Sequence, residues 1–181
     1  MLMKILLVLA ILVTVFVFVV ATRPSEFHIT RTVTIAAPPS AVFEQVNDLR
    51  KWKAWSPWAK LDPAAKETFE GPSSGAGAIM RWAGNSQVGE GKMTVTESRP
   101  SSLIKMKLEF LKPFAVENAA EFTFLPQDNS SHQTVVTWSM SGKSNFMGKA
   151  MSLILNCDKM VGGQFEKGLA QLKSVVEGET A

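Results

Sequence analysis

The chain has 181 residues, 46% of them apolar, and sets 19 Lys and Arg against 16 Asp and Glu. That length suits one folded domain with a sizeable core, while a net charge of +3 is too balanced for the basic footprint of a nucleic-acid-binding protein. Cys157 is the single cysteine, which excludes an intrachain disulfide, and with only His28 and His132 beside it no thiolate and imidazole set exists for zinc, so neither metal nor cofactor is expected.

The N-terminus reads MLMKILLVLAILVTVFVFVVATRP. From Ile5 to Ala21 the only polar residue is Thr14, and a helix over this run spans about 25 Å, the short end of a bilayer core. A cleaved signal peptide is the alternative, since Lys4 supplies an n-region and Val19, Val20 and Ala21 offer small residues before Thr22. The apolar run exceeds the usual signal-peptide h-region and keeps Val and Phe to its end, which favours an uncleaved single-pass anchor over residues 1–23 and one domain over 24–181. Lys4 and the α-amine on one flank nearly balance Arg23 and Arg31, offset by Glu26, on the other. A short tail ahead of a lone anchor then places the domain on the non-cytoplasmic side.

Beyond the anchor the pattern becomes alternating. FHITRTVTI puts Phe27, Ile29, Arg31, Val33 and Ile35 on one face and His28, Thr30, Thr32 and Thr34 on the other, which predicts a strand. APPSAVFEQVNDL follows, with proline suited to a first helical turn and Val42, Val46 and Leu49 on one stripe, which predicts a short helix. LRKWKAWSPWAKLDP then places Trp52 and Trp55 one helical turn apart. Ser56 before Pro57 reads as a stop and the start of a second short turn holding Trp58. Two abutting turns do not make the flat, basic platform on which single-stranded bases stack, and Asp48, Asp62, Glu67 and Glu70 dilute the local charge.

From Lys66 onward short alternating segments recur between turn-rich connections: KETFEG, GAIMRWAG, GEGKMTVTES, SSLIKMKLEFL, FAVENAAEFTFL and QTVVTWSMSG. They predict an antiparallel meander. The end is helical, with a short piece in MGKAMSLIL and a stripe of Phe165, Leu169, Leu172 and Val176 in a longer helix. Gly162 and Gly163 between the two pieces permit a bend or a close approach.

Strand, helix, Trp-rich connection, antiparallel strands and long C-terminal helix, together with VTIAAPPSAVFEQVNDLRKWKAWSPW, GEGKMTVTES, TWSMSG and FEKGLAQLKSVVE, resemble the START-like helix-grip (SRPBCC) superfamily in its polyketide cyclase/dehydrase-like branch. The resemblance covers nearly everything after residue 27. It implies an α+β, Bet v 1-like fold in which a curved antiparallel sheet wraps the long helix and leaves a cavity between them. It also implies that the Trp-rich connection closes one end of that cavity, with at least one ring in the packed core.

Alternation supplies the inward face. It groups Ile104, Met106, Leu108 and Phe110 against Lys105, Lys107 and Glu109; Phe114, Val116, Asn118, Ala120, Phe122 and Phe124 against Glu117 and Glu121; Val136, Trp138 and Met140; and Met80 with Trp82. Such faces either fill a core or line an apolar pocket, and Met and Trp tolerate irregular ligands better than Leu and Ile do. The candidate cavity set is Trp55, Met80, Trp82, Met106, Leu108, Phe110, Asn118, Phe122, Trp138, Met140 and Phe165. Its expected occupant is a hydrophobic small molecule or lipid, with the bilayer itself as the other partner through residues 5–21.

Catalysis is the competing class, and it needs a positioned acid or base. The chain has no Tyr; His132 falls in a polar turn and His28 on the threonine face. Glu97 shares parity with Met93 and Val95 and is the one acid that alternation aims inward, though a strand-end carboxylate reaching solvent fits better. Asn118, the one polar residue on its face, suits either a ligand carbonyl or a neighbouring backbone group. Cys157 has no nearby His in sequence to activate it. No nucleophile, base and orienter set emerges, and an envelope interaction protein with a filled core is the third reading.

Overall fold

The computed structural model describes residues 1–127, 132–153 and 156–179. Helix α1 (Leu2–Thr22) precedes β1 (Glu26–Ile35), α2 (Pro39–Asn47), a 3-10 turn (Leu49–Lys51), α3 (Trp52–Trp55) and α4 (Pro57–Leu61). Strands β2 (Lys66–Glu70), β3 (Ile79–Ala83), β4 (Glu90–Arg99), β5 (Leu103–Lys112), β6 (Val116–Pro126) and β7 (Thr134–Lys143) follow, then α5 (Phe146–Ser152) and α6 (Cys157–Glu179). The strands form one antiparallel sheet in the order β1-β7-β6-β5-β4-β3-β2. This is the expected helix-grip architecture.

The expected stripe of α6 is buried throughout: Phe165, Leu169, Leu172 and Val176 are each at most 2% exposed. They meet the inward residues Ile104, Met106, Phe122, Phe124, Val136 and Trp138 in a single core that also takes Val42 and Val46 of α2. On the outer face Lys92 pairs with Glu109 at 2.8 Å and Lys107 with Glu117 at 3.0 Å. Half-exposed ladders of this kind contribute little individually, but they keep the outer face wet and so fix which face is core.

Helix α6 is clamped to β1 at its start. Arg31 donates from Nε to Glu166 Oε1 (2.6 Å) and from Nη2 to Asp158 Oδ2 (3.0 Å), and that hydrogen bond holds the Asp158 carboxyl below the usual carboxylate range. The guanidinium lies where a Cβ on Gly162 would stand, whereas a Cβ on Gly163 would meet nothing. Gly163→Ala is therefore expected to stabilise the protein by about 0.5–1 kcal/mol through helix propensity. Gly162→Ala is expected to be neutral or destabilising because it displaces Arg31; thermal melts of the two variants check the contrast.

Two sequence expectations change, and for Glu97 the favoured solvent-facing reading holds. The break between the last two helices falls before Cys157, so Gly162 and Gly163 sit inside α6; Gly162 serves the close approach of Arg31, and neither serves a bend. Phe114 precedes β6 in the β5–β6 turn and is 60% exposed, outside the alternation of the strand. Glu97 faces outward: a bulge between Val95 and Glu97 shifts the register, pairing Glu97 with Lys105. There it takes a hydrogen bond from Arg99, which, with Lys105 at 3.3 Å, keeps its carboxyl below the usual range. Ser98 turns inward instead and donates to Asn47 Oδ1 at 2.8 Å.

Candidate functional site: an apolar cavity under the long helix

Three rings of the Trp-rich connection divide the labour. Trp55 is fully buried and donates its indole N–H to Gln45 O (3.1 Å); Trp52, 5% exposed, donates to Val46 O (2.9 Å). Each indole therefore ties α3 back to the end of α2 while its ring packs edge-on to Phe122, at 6.1 Å and 5.9 Å between centroids. Trp58, one turn on, is half-buried and stands edge-on to Trp138 (5.6 Å) and Phe165 (6.2 Å). Pro57 starts the second turn as expected; Ser56 occupies the cap position without a side-chain cap bond.

Between these rings, α6 and the strands β3 to β7 lies a cavity of about 290 Å³. Its inner wall is Trp138 stacked on Phe165 (4.1 Å between centroids, 9° between planes), with Ala120, Met140 and one edge of Trp52. Its outer wall is Met80, Trp82, Leu108 and Phe110, with Trp82 edge-on to Phe110 at 5.7 Å. Trp82 can lie flat against β4 because Gly91 carries no Cβ there, and its indole N–H is satisfied by Val88 O at 3.1 Å. The cavity reaches solvent between the first turns of α6, at Val161, and the segments carrying Asp62, Ala65, Glu67, Gln87 and Val88. Asp62 pins this rim by accepting from Ala64 N (3.1 Å) and Asn85 N (2.6 Å).

Seven of the residues expected from sequence stand on this wall: Met80, Trp82, Leu108, Phe110, Trp138, Met140 and Phe165. Trp55, Met106 and Phe122 stand behind it in the packed core, because α3 drives its two indoles into the space that Phe122 would otherwise face. Asn118 lies off the cavity with its side-chain oxygen buried over Gly142, unpaired among the described residues. Sequence reasoning missed the rim and Trp58 as a wall residue; Ala120, which alternation placed inward, leaves the space open with its small side chain. Asp62 and Glu67 are the titratable members of the described lining. His28 is on the outer face, bonded to Thr30 Oγ1 (2.8 Å), and His132 is exposed.

One unpaired polar group lies behind the apolar wall. The Trp138 indole N–H is buried and has no hydrogen-bond partner among the described residues, an arrangement that costs about 1–3 kcal/mol unless an acceptor is supplied. A larger concavity, about 1180 Å³, lies open on the outer face of the sheet between His28, Ser139, Ser141, Lys105, Lys107 and Glu121. Its Lys105 pairs with Glu121 and its Lys107 with Glu117, and it is a broad, open surface without the enclosure that holds a small molecule.

A search of curated proteins found no match. Among solved structures, a protein from Thermobifida fusca superposes with a TM-score of 0.60 at 22% identity, covering 82% of this chain and 92% of its own. The Zhui aromatase/cyclase from Streptomyces superposes at 0.59 with 16% identity, covering 86% and 96%. Ara h 8.0201 superposes at 0.56 with 10% identity, covering 84% and 99%. At these identities the likeness is one of fold. The family model described as "Polyketide cyclase / dehydrase and lipid transport" matches residues 26–177, all of the sheet and nearly all of the long helix, and the chain belongs to that family.

Proposed function

We propose that the domain binds a hydrophobic small molecule or lipid without chemistry, inside the cavity under α6, while α1 holds it at a membrane. The observation that carries the reading is the cavity itself, about 290 Å³ with walls of Trp, Phe, Met and Leu, near the lower end of the volumes that small-molecule sites occupy. The walls hold a ligand by burial of its apolar surface, because the Trp138 N–H is covered by packed side chains and offers no donor into the cavity. Helix α1 is long and apolar enough to cross a bilayer, with mean hydropathy 3.2. It serves as a single-pass anchor with the domain on the non-cytoplasmic side.

The test is native mass spectrometry of the gently extracted full-length chain, where one lipid-sized adduct per chain is expected. A chain that carries no adduct and takes up none from added lipid contradicts the proposal. A second reading has one observation in its favour: Asp62 and Glu67 put carboxylates on the cavity rim, where a cyclase or dehydrase would use an acid or base. If a bound ligand is consumed, and Glu67→Gln stops turnover without weakening binding, the enzyme reading replaces the binder.

A further inference from the structure

The large apolar side chains that the domain leaves exposed are not scattered. Among the described residues after α1 they are Leu111, Phe114, Leu125, Phe146, Met147, Met151 and Met160, each at least 42% exposed. The sheet register sorts them. Glu26 pairs with Lys143, Phe27 with Gly142, Gly142 with Asn118 and Asn118 with Leu108, so the start of β1, the end of β7, the β5–β6 turn and the helix α5 after β7 share one end of the sheet. The Arg31–Asp158 pair brings the first turn of α6 to β1 from the same side. Every exposed residue of the set except Leu125 therefore belongs to one end, where single exposed apolar residues would otherwise be dispersed over the surface.

That end is also where α1 joins. Only Arg23, Pro24 and Ser25 separate α1 from β1, a tether of about 10 Å at full extension. Val20 of α1 is buried, and α1 already packs against α5. A membrane that holds α1 therefore lies within reach of α5 and the β5–β6 turn. Lys112, Lys149 and Lys159 are interspersed with the apolar set; Lys112 bonds Glu90, while Lys149 and Lys159 have no ion pair among the described residues. Long basic side chains beside buried Phe and Met are the arrangement that lets a surface sit at an anionic headgroup layer. The cavity mouth is continuous with this end: Phe110 and Val161 of its lining adjoin Leu111 and Met160.

We infer that this end of the domain docks on the bilayer that holds α1, with Phe114, Leu111 and the apolar residues of α5 and Met160 entering the headgroup boundary, so that the cavity opens toward lipid. Docking rests on the anchor reading, and its occupant is the lipid surface. A ligand then passes between bilayer and cavity without crossing open water.

The test uses the full chain in vesicles of phosphatidylcholine and phosphatidylglycerol. In a Cys157→Ser background, an environment-sensitive NBD label is placed by Phe114→Cys, Met147→Cys or Leu125→Cys. Blue-shifted emission at the first two, quenched at least twofold by acyl-chain spin-labelled lipid, with neither effect at Leu125→Cys, is the expected result. Water-like emission at all three positions from chains that float with the vesicles overturns the docking and leaves the anchor standing. A blue shift without quenching by labelled lipid overturns it in favour of a second copy of the chain, and chains that fail to float overturn anchor and docking together. Should Cys157→Ser not fold, hydrogen exchange on the unlabelled chain decides. The amides of Leu111, Lys112, Phe114, Ala115 and Val116 and those of residues 146–152 are expected to exchange several-fold more slowly than in a Phe114→Asp, Met147→Asp double variant, and equal rates overturn the docking.

Discussion

Trp55→Ala is expected to lower the free energy of unfolding by about 3–5 kcal/mol, the range for removing a buried aromatic ring from a core that cannot collapse around the gap. The ring is fully buried, packs edge-on to Phe122 and Trp138, and closes a hydrogen bond to Gln45 O that links α3 to α2. Alanine removes the ring and leaves that carbonyl to find another donor. Trp58→Ala removes a half-buried ring of the cavity wall, so its cost is smaller and its main effect falls on ligand affinity. Urea denaturation of both variants checks the ranking. A loss below about 1 kcal/mol for Trp55→Ala would mean that the Trp-rich connection is not a structural plug.

Ligand affinity is expected to rise with acyl length by up to about 0.8 kcal/mol per buried methylene and then to level off. The cavity volume of about 290 Å³ sets the plateau: with ~30 Å³ for a water-sized group, it holds about ten methylenes. Displacement of a solvatochromic fatty-acid probe by fatty acids or alcohols of increasing length measures this directly. Affinity that follows headgroup charge and ignores chain length would point to the exposed outer face of the sheet instead.

How much of this was legible in the sequence depends on whether a residue's position is set by local period or by distant partners. Alternation placed Ile104, Met106, Phe122 and Trp138 inward, and the 3.6-residue stripe placed Phe165, Leu169, Leu172 and Val176 under the sheet, because one buried face imposes its period on the whole element. Alternation alone aimed Glu97 inward, against its solvent-facing position, because a bulge is a property of two strands: only the pairing of Val95 with Met106 and Glu97 with Lys105 shows the extra residue. Phe114 escaped because a strand's first residue depends on its neighbour's register, and β6 begins two residues later. The mouth escaped for a third reason. Asp62, Ala65, Gln87 and Val88 lie in connections without period, brought together by Asp62 bonding across to Asn85. The division of the tryptophans into plug and wall needed the direction in which α3 and α4 point, which Ser56 and Pro57 mark as a break but do not aim.

Ala120 offers the most direct measurement of whether the cavity is a binding site. It is 5% exposed, faces the cavity between Met106 and Met140 in the sheet register, and is small enough to leave the space open. Ala120→Trp fills that space from the sheet side, at an overpacking cost of about 1–3 kcal/mol that circular dichroism and a thermal melt can follow. Titration of the fatty-acid probe into a chain starting at Ser25 should then give saturable binding to the native sequence and none to a folded Ala120→Trp variant. Equal binding by both, or no saturable binding by the native sequence at any soluble concentration, would contradict a ligand cavity under α6.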